Sequence, residues 1–328
     1  MNKVILQEIV DDLRTGKQPT LSASVFSCFS EAAIEGKQVL SPKNLDEISV
    51  SLTPDDIPTF ERAMKAIDEE ELGWLGFKIV FDAAEAVANT DNAVTAKYGD
   101  KGSADGNHLV FFCNDAKEVV ASRDYSARDF FQMKDVTRGP SMHNDQFPGL
   151  TWASLALFDP IRVWLLGASD AASEVAALAA HVGFEVVVLD YDTAYLNEQR
   201  FPKAQRMLLS GFDALGEIEA NPHDYVCVLT RGHMFDPEAC VWAIKNDAHY
   251  IGMMGCAGKN ERVEELCLQE GLTGADWGRI KRPIGLPFGA KTPAELGISI
   301  VGELVDVRYK QRYSEAARVK HEKNLGRS

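Results

Sequence analysis

The sequence predicts an α/β protein whose C-terminal half forms a parallel sheet with helices on both faces, plus an N-terminal α+β domain. Beyond residue 160, short apolar runs rich in β-branched residues alternate with segments of helical composition. Strands buried on both faces have this composition, and strand–helix alternation produces right-handed crossovers in a parallel sheet. The length of 328 residues also fits two domains of about 150 residues each.

The N-terminal domain is predicted over residues 1–145, followed by a linker over residues 146–159. Apolar residues at helical spacing predict an amphipathic first helix. These residues are Val4, Ile5, Ile9 and Leu13. Thr53 as N-cap and Pro54 at the first helical position predict the start of a second helix. The predicted strands are residues 75–81, 108–113 and 118–121, and residues 99–106 have the composition of a loop.

The C-terminal domain is predicted over residues 160–328 as alternating strands and helices. The strand segments are 162–166, 185–189, 206–209, 225–229 and 250–254. The helical segments between and after them are 171–182, 212–220, 237–246 and 260–270. A long last helix is expected from Thr292 to about residue 312, because Thr292, Pro293 and Glu295 form a capping box with proline at the first helical position.

The net charge and the cysteine pattern of the sequence indicate which partners and which cellular location to expect. The 34 basic and 49 acidic residues give a net charge of −15. This charge repels phosphate backbones and anionic lipid, so we expect neither nucleic acid nor a membrane as partner, whereas a basic protein patch fits. The six cysteines are scattered without a Cys-x-x-Cys pair, so we expect reduced thiols and no metal site. We find no signal peptide and no apolar stretch of about 18 residues, so a cytoplasmic location is expected.

The first strand-to-helix turn of the C-terminal domain resembles the dinucleotide-binding turn of Rossmann folds. That turn has the pattern Gly-x-Gly-x-x-Gly/Ala, with an acidic residue about 20 residues later that binds a ribose hydroxyl. Gly167 and Ala172 fit its first and third positions, Ser169 stands at the second, and Asp190 ends the next strand. The pattern predicts a Rossmann-like fold with an altered nucleotide turn. Alternatively, Gly167 serves only the turn, and Asp170 and Asp190 cap the segments that follow them.

Open parallel sheets bind ligands at the carboxyl ends of their strands. Three further motifs are expected at this edge, because two follow predicted strands and one leads into the last helix. They are Thr230-Arg231-Gly232-His233, Gly252-Met253-Met254-Gly255-Cys256-Ala257-Gly258-Lys259, and the segment from Gly285 through Gly289 to Thr292. The first joins a guanidinium to an imidazole, the second adds a thiol and a cation, and the third offers a helix N-terminus to an anion. Each motif also has an explanation without a ligand. The first would be a surface loop that happens to contain a histidine, the cysteine of the second would have no role, and the third would be a rigid loop before a well-capped helix.

Taken in order, these motifs resemble the XdhC/CoxI family of maturation factors for molybdenum hydroxylases. The resemblance covers about residues 160–310. The resembling residues are Asp190, Arg200-Phe201-Pro202, Thr230-Arg231-Gly232-His233, Tyr250-Ile251-Gly252-Met253-Met254-Gly255, Lys259, Pro283-Ile284-Gly285-Leu286, Gly289-Ala290, Thr292-Pro293, Ser299-Ile300 and Glu303-Leu304. The resemblance implies a chaperone rather than an enzyme, which transiently binds the molybdenum cofactor as molybdopterin or as its cytosine dinucleotide. It also implies a cysteine desulfurase as partner for sulfuration, and a client such as xanthine dehydrogenase or aldehyde oxidoreductase.

The resemblance further implies a cofactor site at the strand ends, without a catalytic residue. Arg231 and His233 would contact phosphate or the metal-bound end, Lys259 an anionic group, and Asp190 a ribose or pterin hydroxyl. Cys256 would be a sulfur contact. The full predicted set is Gly167, Ser169, Asp190, Arg231, Gly232, His233, Gly252, Gly255, Cys256, Lys259, Gly285, Gly289 and Thr292.

The chain also departs from the family pattern. The family's first turn is typically Gly-Ala-Gly-His, where this chain has Gly167-Ala168-Ser169-Asp170. The family's cationic run after the fifth strand is replaced by Cys256-Ala257-Gly258-Lys259, and its glycine-rich N-terminal segments are missing; Cys28 is not equated with the family cysteine. These differences indicate a divergent member. Two other functions stay open: an NAD(P)-dependent oxidoreductase with a degenerate fingerprint, and a non-catalytic docking scaffold. A homodimer is the default assembly.

Overall fold

The structure is a computed structural model that describes residues 3–22, 49–80, 108–125, 127–135, 150–255, 257–313, 315 and 318–319. The chain divides into two compact units, Met1–Asp159 and Pro160–Ser328. Cys28, Cys256 and the loop predicted over 99–106 lie outside the described residues. No helix in the described ranges is long and apolar enough to cross a bilayer.

The N-terminal unit packs helices on a four-stranded antiparallel sheet. In chain order its elements are α1 (Lys3–Arg14), β1 (Thr20–Ser22), β2 (Ser49–Ser51), a 3-10 turn (Pro54–Asp56), α2 (Ile57–Asp68), β3 (Gly73–Val80), β4 (Leu109–Asn114), β5 (Val119–Ala121), α3 (Ala127–Met133) and β6 (Leu150–Ala156). The sheet has the order β5-β4-β3-β6, and β1 pairs with β2 in a separate ribbon. Phe60 of α2 packs with Phe77 and Phe112 in the main core of this unit.

Two sequence-based details of this unit need correction. The first helix is confirmed, but Val4 and Ile5 are 60% and 47% exposed, because its buried stripe begins at Leu6 and continues to Leu13. The linker predicted over 146–159 is wrong where β6 runs, since Leu150–Ala156 pairs with β3 from Trp74 to Val80. Proline and glycine at 148–149 suggested a linker, yet Trp152 inside the strand is 1% exposed and belongs to a core cluster.

An ion pair in the N-terminal unit gives a prediction for acid stability. Glu71 accepts hydrogen bonds from Arg62 at 2.6 Å and from Asn114 at 2.7 Å. Burial opposes the ionisation of Glu71, but the bonds from Asn114 and Arg62 outweigh it and lower its pKa. A carboxyl whose folded-state pKa is lowered adds stability above its ordinary pKa, and this stability is lost as the pH falls through the lowered value.

We therefore expect Glu71→Gln to be less stable than the parent chain at pH 7, with a difference that shrinks as the pH falls below about 4.5. Thermal unfolding followed by circular dichroism between pH 7 and pH 3 measures this. Glu69→Gln is the matched control, because Glu69 belongs to an exposed surface pair with Lys65. A difference that stays constant over this pH range contradicts the assignment.

The C-terminal unit is a six-stranded parallel sheet. Its elements are β7 (Arg162–Leu166), α4 (Asp170–His181), β8 (Glu185–Asp190), β9 (Gln205–Leu208), a 3-10 helix (Phe212–Glu217), β10 (Tyr225–Val228), a 3-10 turn (Arg231–His233), α5 (Asp236–Lys245), β11 (Tyr250–Met253), α6 (Ala257–Gln269), α7 (Gly274–Arg279), β12 (Ile280–Lys281) and α8 (Pro293–Arg312). The strand order is β12-β11-β10-β7-β8-β9, and every pair is parallel. Numbered within the unit this is 6-5-4-1-2-3, the Rossmann order.

Alternating residues of each central strand build two cores, one on each face of the sheet. Trp164 and Leu166 of β7 pack with residues of α5, α6 and α7. Val163 and Leu165 pack with residues of α4 and α8 on the opposite face. The predicted parallel sheet with helices on both faces is thus confirmed. The helix predicted over 212–220 is wrong in type and length: it is a short 3-10 helix that ends at Glu217, with Ile218 already extended.

Candidate functional site

The loops after β7, β8, β10 and β11 meet at the carboxyl edge of the parallel sheet. The strand order reverses between β7 and β10, and such a switch point leaves a crevice where Rossmann folds bind ligands. Gly167 marks the turn after β7, with φ of +107°. A Cβ there would lie 2.6 Å from Thr230 Cα and 2.7 Å from the Leu229 oxygen. Gly167 therefore lets the first turn contact the end of β10.

The first turn is closed by groups of the chain itself. Ser169 is the N-cap of α4, and its side chain accepts the Ala172 N–H at 3.2 Å. Asp170 forms an ion pair with Arg200 at 2.7 Å and is 81% exposed. A pyrophosphate in a dinucleotide turn approaches this helix N-terminus through a glycine at the second position. In this chain the Ser169 side chain and the Asp170 carboxylate lie at the helix N-terminus, where the pyrophosphate would bind.

Asp190 fixes the first turn and the β10 loop together. Its side chain is 2% exposed. One carboxylate oxygen accepts the Ala168 N–H at 2.7 Å and the other accepts the Asp192 N–H at 3.0 Å. Arg231 donates to both oxygens, at 3.0 and 3.5 Å. A carboxylate offers about four acceptor positions, so all of them are used. The predicted bond from Asp190 to a ribose or pterin hydroxyl would require Arg231 to move.

Arg231 is held by carboxylates on one side and an aromatic ring on the other. It also donates to Asp192 at 3.3 Å, and its guanidinium lies 3.7 Å from the ring centre of Tyr195. Burial alone would lower the pKa of Arg231, but the hydrogen bond and charge of Asp190, with Tyr191 and Asp192, raise it. Arg231 is therefore permanently cationic and fixed in direction.

The rest of the Thr230–His233 motif is anchored by Asp236. Thr230 donates to one oxygen of Asp236 at 2.5 Å, and His233 Nδ1 lies 2.8 Å from the other. Gly232 and His233 both have positive φ, +66° and +63°. Burial raises the pKa of Asp236 against the opposing effects of Thr230, His233 and the Lys259 charge. When His233 donates from Nδ1, its Nε2 is left as the acceptor of a hydrogen bond from a ligand.

The remaining predicted residues divide into exposed and structural positions. Lys259 is exposed in the first turn of α6. A Cβ at Gly252 would meet Ile284, and one at Gly255 would meet Asn260, so both glycines serve packing. Cys256 lies outside the described residues.

The Gly285–Thr292 segment is tied to the body of the unit. Gly285 has φ of +100° and donates to the buried Glu303, which also accepts the Tyr250 hydroxyl at 2.7 Å. Thr292 caps α8 in the predicted capping box with Glu295. Gly289, with φ of +80°, has open space at its Cβ position. Within the described ranges, no three His, Cys, Asp or Glu side chains converge as metal ligands.

Sequence reasoning missed the partners that position Arg231. Asp192 and Tyr195 follow the second strand of the unit, and only the fold brings them to a loop about forty residues later. Asp236 lies three residues after His233 in the sequence, and this spacing was the available signal.

Comparison with known proteins relates these motifs to a known domain. Residues 163–304 match the model of the XdhC Rossmann domain. This part of the C-terminal unit is therefore similar to the XdhC Rossmann domain. The matched range contains the first turn, the Thr230–His233 motif and Glu303. The resemblance predicted from the ordered motifs is confirmed.

Among curated proteins, the chain is similar to a probable xanthine dehydrogenase subunit from Bacillus subtilis (strain 168), with 31% identity over 181 residues. The match covers 54% of this chain and 52% of that protein. An uncharacterized protein, YqeB of Escherichia coli (strain K12), is 28% identical over 149 residues, covering 45% of this chain and 27% of that protein. The matches thus span about half and about a quarter of the two relatives.

Among solved structures, the chain is similar to a xanthine dehydrogenase from Bacillus halodurans. The identity is 16% and the TM-score 0.44, with 98% of this chain and 80% of that chain covered.

Proposed function

We propose that the chain is a maturation factor for a molybdenum hydroxylase of the xanthine dehydrogenase type, and that it carries the molybdenum cofactor as cargo at the strand-end site. The match to the XdhC Rossmann domain and the similarity to a protein named as part of a xanthine dehydrogenase support the general role. The proposal has three further parts. A cysteine desulfurase donates the sulfur, the chain inserts the cofactor into the client, and the client could also be an aldehyde oxidoreductase.

The observation that carries the proposal is a set of uncommitted polar groups at one sheet edge. Arg231 uses Nε and one amino group on Asp190 and Asp192, and its Nη1 makes no hydrogen bond within the described residues. Lys259 is exposed, and its charge reaches Asp236, where it opposes the rise in pKa that burial causes. His233 uses Nδ1 on Asp236, which leaves its Nε2 for another partner. Two cations and an imidazole suit the phosphate of a pterin cofactor, because charge-assisted hydrogen bonds are the strong ones.

In this proposal the chain holds the cargo and does not transform it. Arg231 Nη1 and Lys259 bind phosphate oxygens, while Asp190 positions Arg231 rather than binding a hydroxyl. Exposed contacts such as that of Lys259 contribute little energy each, which suits a carrier that must release its cargo. Reaction at the metal end belongs to the partner proteins.

A nicotinamide-dependent oxidoreductase is the competing function. Its pyrophosphate would have to approach α4 past the Ser169 cap and the Asp170 carboxylate. These groups count against ordinary dinucleotide binding, because a helix N-terminus that already faces an acidic side chain attracts a second anion less. A titration with NAD(P)H tests this directly.

We expect Lys259→Ala to weaken binding of the molybdenum cofactor about threefold, since it removes one exposed charge-assisted contact. The test is a titration of the full chain with molybdopterin cofactor, its cytosine dinucleotide form and NAD(P)H. Lys245→Ala is the matched control, because Lys245 is an exposed lysine at the C-terminal end of α5. Arg231→Lys keeps the charge beside Asp190 but loses the planar fork, and should also bind more weakly. Equal affinities for the two alanine variants, or binding of NAD(P)H alone, would remove the proposed site.

A further inference from the structure

A groove of about 460 Å³ lies on one helical face of the C-terminal unit, lined by the 3-10 helix Phe212–Glu217, α5 and the end of α6. Its floor is apolar, with Phe212, Leu215 and Trp242 almost fully buried. Met234 and Leu266, also in its lining, are 63% and 37% exposed. Exposed apolar side chains beside an apolar floor indicate a surface that binds another apolar group.

The rim of this groove is strongly acidic. Its exposed carboxylates are Asp213, Glu219, Glu238 and Glu270. Lys245 is the basic side chain among the lining residues. None of the four carboxylates has an ion-pair partner in the part of the chain that the structure describes. Unpaired charges of one sign around an apolar floor attract a ligand that carries the opposite charge.

We infer that the groove docks a basic amphipathic segment of a partner protein. Apolar side chains on one face of such a segment enter the groove, and flanking Lys and Arg side chains meet the four carboxylates. Binding of a helix in a groove follows this arrangement, and complementary charge sets both encounter rate and orientation. A second copy of the chain is disfavoured, because its net charge of −15 repels the acidic rim.

The groove adjoins the strand-end site through a layer of aromatic rings. Phe212 stacks on Phe235 at 4.7 Å, and Tyr191 contacts Phe235 edge-on at 5.5 Å. Arg231 lies 5.4 Å from the ring centre of Tyr191. The rings of Phe212, Phe235 and Tyr191 would thus link a docked partner to Arg231. The docking inference does not depend on the proposed function, since it stands on the shape and charge of the groove.

The test uses a fluorescent synthetic Leu/Lys amphipathic peptide and the full chain, with binding measured by anisotropy. The double variant Glu238→Lys, Glu270→Lys should weaken binding roughly tenfold, because two attractions become repulsions. The control is Glu261→Lys combined with Glu265→Lys, which makes the same charge change at exposed positions of α6 outside the groove lining. This control should keep the parent affinity within about twofold.

The apolar contribution is tested separately. Met234→Ser and Leu266→Ser shorten exposed side chains and should each weaken the peptide severalfold without changing the fold. A Gln/Lys peptide of equal charge should bind poorly. Equal weakening by the rim and control pairs, or equal binding of the Gln/Lys peptide, would show attraction by net charge alone and overturn the inference. Self-association of the parent chain that the rim variant abolishes would assign the groove to a second copy and also overturn it.

Discussion

Replacing Gly167 by alanine is expected to lower the free energy of unfolding of the C-terminal unit by about 3 kcal/mol. Two costs add at this position. The backbone has φ of +107°, which an L side chain rarely adopts. The new Cβ would also approach Thr230 Cα to 2.6 Å and the Leu229 oxygen to 2.7 Å. Both contacts are backbone atoms at the end of β10, so no side chain can rotate to relieve them.

Gly183→Ala separates these two costs. Gly183 also has a positive φ, +84°, but a Cβ there has nothing within 4 Å. Only the conformational cost applies, about 1 kcal/mol. Urea unfolding followed by circular dichroism measures both variants. Equal losses would show that β10 yields to the new methyl group, and that the close approach of the two strand ends is not essential to the fold.

The central strands could be predicted because parallel strands buried on both faces form short apolar runs. Observed β7 has the predicted bounds, β9 is shifted by one residue at both ends, and the other predicted strands of the C-terminal unit differ by one residue at one end. The capping box at Thr292 was predictable because its signal is local to four residues. The sixth strand, Ile280–Lys281, was missed because two residues carry no periodicity. It exists because β11 pairs with it.

The location of the candidate site in the fold was easier to predict than the hydrogen bonds and ion pairs within it. The Thr230–His233 motif lies at the switch point, as strand-end reasoning requires. The pairing of Arg231 with Asp190 joins residues 41 apart, and spacing alone gives no reason to join them. Asp190 was therefore assigned to a ligand hydroxyl, whereas the fold gives its oxygens to backbone N–H groups and to Arg231.

Asp190→Asn should lower the free energy of unfolding by about 3 kcal/mol, because it breaks a buried, hydrogen-bonded charge pair. The new amide group would face a donor whichever way it turns, since Ala168 N–H and Arg231 approach one oxygen and Asp192 N–H and Arg231 the other. Arg231 would keep its charge but lose its buried counter-ion, so its direction at the sheet edge would relax.

Asp192→Asn is the matched control for that loss. Asp192 also contacts Arg231, at 3.3 Å, but its side chain is 34% exposed, so its removal should cost below about 1 kcal/mol. Urea unfolding compares the two variants, and cofactor titration shows whether a relaxed Arg231 binds more weakly. If Asp190→Asn cost no more than Asp192→Asn, the Asp190 carboxylate would not depend on Arg231. A role in binding a ligand hydroxyl would then again be the better explanation for its place at the end of β8.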